Sequence, residues 1–462
     1  MLGIKLERKS EQPLKRQIYA QLREQIMDGQ LNAKDELPSS RELAKTLGVS
    51  RNTVGEAYDM LIAEGFAISR QGAATQVAEG VSVKKGEQAV IREKPSQAYT
   101  IKADFRTGRP DLRQFPQYLW RQFLHKASME TPSELYGYTG PQGLPALRTE
   151  ISLWLFRSRG LKINAEDIFI TSGATHALHI LAELLCGKGG KVLMEDPCHS
   201  GMLQTFRKKG CLIEPIPVDN QGMMTQYLQY KDPCAVYVTP SHQFPLGGIL
   251  SAARRAELVR FARENGVYII EDDYDSEFRY SGEPISPLYA MDQQNVIYVG
   301  TFSKSLFPAL RIGYVVLPKP LHRKWSDIRT YMDVQNPIFE QAALAEFMRT
   351  RKLDRHIQKM RRIYGQRRRV LLELFKEAFG SGWTPYGDAA GLHVAVDFPG
   401  IQFDEAFRKG CLQNGIYITP VEKHCIVREA HQSKLLIGYG HLEHDEIREG
   451  ITMLRDAMDS MI

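Results

Sequence analysis

A lysine set among hydroxyl groups can do chemistry that a lysine in bulk water does not. Residues 299–314 read VGTFSKSLFPALRIGY, and Lys304 stands between Thr301, Ser303 and Ser305 with Arg311 close behind. An amine that must form an imine with an aldehyde has to lose its proton, and hydroxyls beside a cation suit a phosphate held next to it. Those are the requirements of a pyridoxal 5′-phosphate (PLP) site. A solvated lysine in a serine-rich loop would leave the same letters, so the elements around it decide.

Those elements read as strands that end in polar residues. Residues 295–299 (NVIYV) lead into the lysine stretch, and residues 267–270 (VYII) run into EDDYDSEFRY. Glu271, Asp272, Asp273, Tyr274 and Asp275 therefore fall at the carboxyl end of a strand, where open α/β sheets collect ligands. A pyridine ring used as an electron sink needs a carboxylate at its nitrogen and a donor at its phenolate oxygen, and Asp272 and Tyr274 can supply both. Asp273 and Asp275 fit loop capping equally well. The strand IFIT (168–171) followed by Ser172, Gly173, Ala174 and Thr175 opens a predicted helix over 176–185, a phosphate seat built from free amides and the helix dipole. His199, in VLMEDPCHSG, and His242 with Gln243, in TPSHQFPLGG, lie past further strand ends. His199 is placed to stack on a ring, and His242 to stand near its oxygen.

The 462 residues, 43% hydrophobic and 25% charged, suffice for two or three domains. Apolar runs stop short of the roughly 20 residues a membrane helix needs, and MLGIKLERKSEQ has no signal-peptide core, so the expected location is cytoplasmic. The six cysteines are scattered without a CxxC pair, which predicts reduced, mostly buried thiols and no metal site. Net charge is +6, yet residues 1–80 carry eleven Lys/Arg and eleven Asp/Glu, so any case for DNA rests on pattern.

That pattern is present. After Pro13, Leu14, Ile18, Leu22 and Ile26 recur at steps of four, and Gly29 ends the segment. Ser39 or Ser40 caps a second helix through Leu47, with Glu42 three residues after Ser39. Gly48, Val49 and Ser50 form a tight turn into a third helix, from about Arg51 to Glu64, with Val54, Tyr58 and Leu61 inward. Helix, short turn, helix is the arrangement that puts the start of a helix into the DNA major groove. Ser50, Arg51, Asn52 and Thr53 stand there, with Arg51 and Asn52 of the types that read guanine and adenine edges; Ser39 and Arg41 suit phosphates. FAISRQGAATQV then reads as two strands and a turn at Gln71 and Gly72, a wing. Residues 80–103 are polar and aperiodic and read as a flexible linker. The basic run 351–369, RKLDRHIQKMRRIYGQRRR, is either a solvated helix face or a surface for flanking DNA, with Arg361, Arg362, Arg367 and Arg368 as its contacts.

The stretch LPSSRELAKTLGVSRNTVGEAYDMLIAEGF, followed by SRQGAATQV, resembles the winged helix-turn-helix of GntR-type bacterial transcription regulators. One departure is Ala74, where that family usually has a second wing glycine. The ordered set GYTGPQG, TSGATHAL, EDPCHSG, TPSHQFPLGG, EDDYDSEF and TFSKSLFPALRIGY resembles fold type I aminotransferases. The two together resemble the MocR subfamily. The resemblance implies a mostly α winged helix-turn-helix at 1–79, the linker 80–103, and an α/β PLP-dependent transferase domain of fold type I at 104–462 with a small C-terminal α/β part from about 335. It implies Lys304 as the imine-forming lysine, Asp272 at the pyridine nitrogen and Tyr274 at the phenolate oxygen. Gly173, Ala174, Thr175, Ser303 and Arg311 would hold the phosphate, His199 would stack, and Tyr138 would reach the partner subunit's cofactor in a homodimer. The implied partners are double-stranded promoter DNA and an effector, either PLP itself or an amino compound; the alternative is a working aminotransferase with an accessory DNA-binding module. Such enzymes usually present an arginine to the substrate carboxylate; here the loop reads VEKHCIVR, leaving Arg428 or Lys423 for that role or an effector without such a carboxylate.

Overall fold

Apolar residues four apart make the first helix, Leu14–Met27, which buries Ile18, Leu22 and Ile26. The helix Ser40–Leu47 starts where Ser39 accepts from the Glu42 amide (3.2 Å), and it ends on Gly48 at φ +62°. Arg51–Ala63 follows, capped by Ser50 accepting from the Thr53 amide (3.1 Å), with Val54, Tyr58 and Leu61 buried as predicted. Each cap is worth about 1 kcal/mol, and together they fix the turn between the two helices. Strands Ala67–Ile68 and Gln76–Val77 pair antiparallel as the ribbon of the wing. The computed structural model describes residues 2–70, 73–81, 99–229, 232–282, 285–387 and 389–461. The wing-tip pair Gln71 and Gly72 and linker residues 82–98 lie outside them. The chain divides into two units, Met1–Gln97 and Ala98–Ile462.

The large unit is organised on an eight-stranded sheet. Its order is Ile168–Thr171, Gly313–Val316, Val296–Thr301, Tyr268–Asp273, Pro233–Val238, Lys191–Asp196, Leu212–Asp219 and Gly222–Met223. The five strands from Val296–Thr301 to Leu212–Asp219 are parallel, while Gly313–Val316 runs antiparallel to both of its neighbours. Fully buried strands such as Val296–Thr301 (VIYVGT) are what a sheet covered on both faces requires. The link between Val296–Thr301 and Gly313–Val316 contains Lys304 and Arg311, so both residues emerge at the sheet end where the parallel strands finish. Gly313 has to be small: a Cβ there would lie 2.9 Å from the Gly173 Cα, at the turn into the helix Ala174–Cys186.

A second sheet, Thr384–Tyr386, His393–Asp397, Lys434–Gly438 and Thr419–Pro420, is antiparallel and packs with the helices Lys352–Phe379, Glu405–Gln413 and His444–Met461. Ala103–Asp104 pairs in parallel with Ile416–Tyr417, so the start of the large unit is tied to its tail. Among the described residues no helix is long and apolar enough to cross a membrane.

Two expectations need correction. Cys186, at the end of its helix, and Cys234, on Pro233–Val238, have Cα atoms 5.1 Å apart and are joined as a disulfide; the other four cysteines are buried thiols. Scattered sequence positions hid a pair that the sheet brings together. In the basic run, Arg367 is not available to DNA. It is 1% exposed, forms an ion pair with Asp111 (2.7 Å) and donates to the Gly440 carbonyl. Helical periodicity turns it to the same side as Met360, Tyr364 and Leu371.

Candidate functional site

Lys304 lines a cavity at the carboxyl end of the parallel strands, with Asp272, Tyr274, Ala174, Thr175, Ser303, Arg311 and His199. Five of the six motifs, far apart in sequence, thus converge on one space; GYTGPQG contributes no residue to it. Lys304 Nζ donates to the Gly108 carbonyl (2.6 Å). Burial lowers its pKa, against the pull of Asp275 and Asp272, so the amine gives up its proton more readily than a free lysine. A side chain at residue 108 would meet that amine: a Cβ on Gly108, whose φ is +69°, would be 2.5 Å from Nζ.

Asp272 is fully enclosed. Tyr237 donates to its Oδ2 (2.7 Å), and its Oδ1 is buried without a partner among the described residues. Burial is the main cause that raises its carboxyl to about 6, and the Tyr237 bond opposes the rise. The Tyr274 hydroxyl meets His242 Nδ1 (3.1 Å) and donates to the His242 carbonyl (2.9 Å). His242 also contacts Asp275 (3.0 Å). Burial alone would depress the His242 imidazole, but Asp275 outweighs it and the net shift is upward. His242 therefore fixes Tyr274 from behind, and it is Tyr274 that faces the cavity. His242, expected near the ring oxygen, does not itself line the cavity and stands one hydrogen bond behind Tyr274. Gln243 is likewise structural, donating to the Pro197 carbonyl (2.8 Å).

The turn expected to hold a phosphate borders the cavity. The helix Ala174–Cys186 begins with Ala174 and Thr175 on the cavity, and Gly173 (φ +91°) lets the Arg311 guanidinium come close, since a Cβ there would be 3.1 Å from it. Arg311 donates to the Ser172 carbonyl, and Thr301 donates to Ser303 Oγ (3.0 Å). His199 caps the helix Ser200–Lys208 through Nδ1 (3.1 Å to the Gly201 amide) and tilts against Phe244. Burial, followed by the charge of Lys304, depresses it to about 4, so it is a neutral ring at ordinary pH.

Tyr138 is 89% exposed, away from this cavity. Arg428 and Lys423 are also exposed, and neither lines the cavity; Arg428 donates to the Glu422 carbonyl (2.9 Å). The expectation of a carboxylate-binding cation in that loop is thus not met within one chain, because the short helical turn Val421–His424 points its buried side, Val421 and His424, inward instead. Sequence reasoning missed Tyr237, Gly108 and His393. A tyrosine inside the otherwise aliphatic strand PCAVYV was a usable signal. Gly108 and His393 carry none, because only the closed fold brings them to Lys304.

In the small unit, Ser39, Arg41, Ser50, Arg51 and Asn52 are exposed, with Thr53 half-buried, around the start of Arg51–Ala63. Arg51 Nε lies 3.3 Å from Ser40 Oγ, which ties the two helices at that surface. Gly72, predicted to join them, lies outside the described residues.

The large unit, with its antiparallel strand at the lysine and its second sheet, is an aminotransferase fold behind a GntR-type helix-turn-helix. A family model described as bacterial regulatory proteins, gntR family, matches residues 14–77, and one described as aminotransferase class I and II matches residues 106–454. The chain belongs to the aminotransferase class I and II family and, with its GntR region, is a transcription regulator of the MocR type. It is 31% identical to the probable rhizopine catabolism regulatory protein MocR of Rhizobium meliloti, over 98% of this chain and 95% of the relative. Identity to the HTH-type pyridoxine biosynthesis transcriptional regulator PdxR of Corynebacterium glutamicum is 30%, over 96% and 95%. Among solved structures it is similar to the kynurenine aminotransferase of Pyrococcus horikoshii, solved with PMP (TM-score 0.73, 26% identity, 82% of this chain and 97% of that one).

Proposed function

We propose that the large unit holds PLP and that PLP itself, or an amino compound reacting with it, tunes the hold of the small unit on promoter DNA. The observation that carries this is the Asp272 Oδ1, a buried carboxylate oxygen without a partner among the described residues, on a residue lining a cavity that also contains a half-buried lysine and an arginine beside Gly173. A buried charged atom left without a partner is unfavourable, and a protonated pyridine nitrogen is the kind of group that satisfies it. The donor set fits the cofactor: Asp272 at the ring nitrogen, Tyr274 at the phenolate oxygen, His199 against the ring face, and Gly173, Ala174, Thr175, Ser303 and Arg311 on the phosphate. When bound, the group supplies an aldehyde that condenses with primary amines and a ring that withdraws electrons.

The chain's own residues would then act as follows. Burial keeps Lys304 able to release its proton, and Gly108 accepts a hydrogen bond from the amine at rest. His242, ion-paired to Asp275, holds the Tyr274 hydroxyl in one orientation. Tyr138, exposed in one chain, is available to complete a partner's site in a homodimer. Promoter DNA would be gripped through Ser39 and Arg41 on phosphates and read by Arg51 and Asn52, with Ser50 and Thr53 at the same helix start, in the cytoplasm where the DNA is. An effector regulates only if it binds two arrangements of the dimer unequally, and displacement of Lys304 by an incoming amine changes the contacts of one arrangement.

The completeness of the lysine, aspartate and tyrosine set favours a second reading, slow transamination. One experiment separates the two: the full chain is loaded with PLP, and visible absorbance, keto-acid turnover and promoter affinity are followed as amino acids are added. A spectral change with altered DNA affinity and no sustained turnover supports regulation. Rapid turnover with no promoter binding selects the enzyme, and a Lys304→Ala chain that keeps its absorbance and its response overturns both.

A further inference from the structure

Successive residues of a strand face opposite sides of its sheet, and Tyr268–Asp273 ends in two carboxylates that do so. Asp272 lines the lysine cavity, while Asp273 pairs with Arg159 (2.6 Å). Arg159 lines a separate cavity of about 340 Å³ together with Arg157, Arg279 and Arg361. These four guanidiniums share it with two carboxylates, Glu277 and Asp354.

The arginines are poorly satisfied. The Arg159 side chain is only 7% exposed, its Nη2 serves Asp273 and Ser241 (3.4 Å), and its Nε has no acceptor among the described residues. The Arg279 Nε is also buried without one. Arg157 comes only within 3.7 Å of Asp354, and Arg361 donates to the Glu277 carbonyl (2.8 Å). Buried N–H groups are normally paired, so two without acceptors in one cavity, against a single carboxylate oxygen without a hydrogen-bond donor (Asp354 Oδ2), point to a missing anion. Burial, then Asp273, pushes the Glu277 carboxyl up to about 7, so near neutrality it opposes an anion with less than a full charge. Trp154 and Ile357 supply an apolar wall.

We propose that this cavity binds a small phosphomonoester, its phosphate held by Arg159, Arg279 and Arg157 and its short organic body against Trp154. Guanidinium forks match phosphate oxygens two at a time. Four guanidiniums against Glu277, Asp354 and the Arg159 partner Asp273 leave an excess of one positive charge, and a larger one when Glu277 is protonated, which a phosphate answers. The site is separate from the lysine cavity, with which it shares no lining residue.

Calorimetric titration of the full chain with glycerol 3-phosphate tests it, with inorganic phosphate and succinate as comparison probes. The expected result is saturable binding of the phosphomonoester that is weaker by about tenfold or more in Arg279→Gln and in Arg157→Gln, and unchanged in Arg311→Ala. Tryptophan-fluorescence melts verify folding of each variant; Arg157, at the rim, keeps the test valid if Arg279→Gln does not fold. Absence of binding at millimolar probe, equal affinity for succinate, or loss in Arg311→Ala alone would each overturn the proposal, the last by assigning the phosphate to the lysine cavity.

Discussion

Asparagine in place of Asp272 should make the cofactor-free large unit more stable and its cofactor site weaker. Burial is the chief cause that lifts this carboxyl from 3.8 to about 6, with Asp273 and Asp275 adding to it. The folded chain therefore holds this proton more tightly than the unfolded chain, and stability falls as pH rises from about 4 to about 6. Above that range the ionised carboxylate lowers stability by an amount on the order of 3 kcal/mol, from roughly two pH units at about 1.4 kcal/mol each. Asparagine has no charge to bury and still offers an oxygen to the Tyr237 hydroxyl. Asp272→Asn should thus gain about 1–3 kcal/mol at pH 8, and the gain should vanish near pH 4. Urea unfolding followed by tryptophan fluorescence measures it, because Trp120, Trp154, Trp325 and Trp383 all belong to the large unit. The same substitution removes a charge-assisted hydrogen bond to the cofactor nitrogen, worth about 1.5–3 kcal/mol, so PLP affinity should drop roughly 10- to 150-fold. A variant no more stable than the parent at pH 8, or a gain that does not change with pH, would refute the burial reasoning; undiminished PLP affinity would refute the ring-nitrogen role.

Lys304→Ala should abolish the visible absorbance of lysine-bound cofactor and the response of DNA binding to amino compounds, read by spectrophotometry and fluorescence anisotropy on one sample. Asn52→Ala should lose about 1–3 kcal/mol of discrimination and relax one operator position, whereas Arg41→Ala should weaken binding to all sequences and reduce the salt slope by about 1, both seen by anisotropy across a salt series. Arg367→Met leaves Asp111 buried with only Arg113 for a partner and should destabilise the large unit by about 3–5 kcal/mol, while Arg362→Glu, on the exposed face of the same helix, should change its melting temperature little. Ser50→Ala removes the cap of Arg51–Ala63 and should cost about 1 kcal/mol, measured by circular dichroism melts of the small unit's transition.

How much of this was legible in the sequence follows from the range of each signal. The small unit was readable almost to the residue, because its determinants are local: Ser39 and Ser50 bond amides three residues on, and Ile18, Leu22 and Ile26 repeat at helical spacing. Lys304, Asp272 and the Gly173 turn were readable for a similar reason, since each ends a strand whose own letters declare it. What the sequence hid was every relation made by closure of the large sheet. Lys304 meets Gly108 from 196 residues away, Arg367 meets Asp111 from 256, and Cys186 meets Cys234 across adjacent elements. A basic run looks uniformly solvated in one dimension, yet a helix must turn part of it inward, and only a waiting carboxylate such as Asp111 makes that tolerable. Asp272 and Asp273 show the same limit most sharply. As neighbouring letters they differ only in position at a strand end, but the strand's alternation puts Asp272 in the lysine cavity, bonded to Tyr237, and turns Asp273 to Arg159, whose own side chain lines a second cavity.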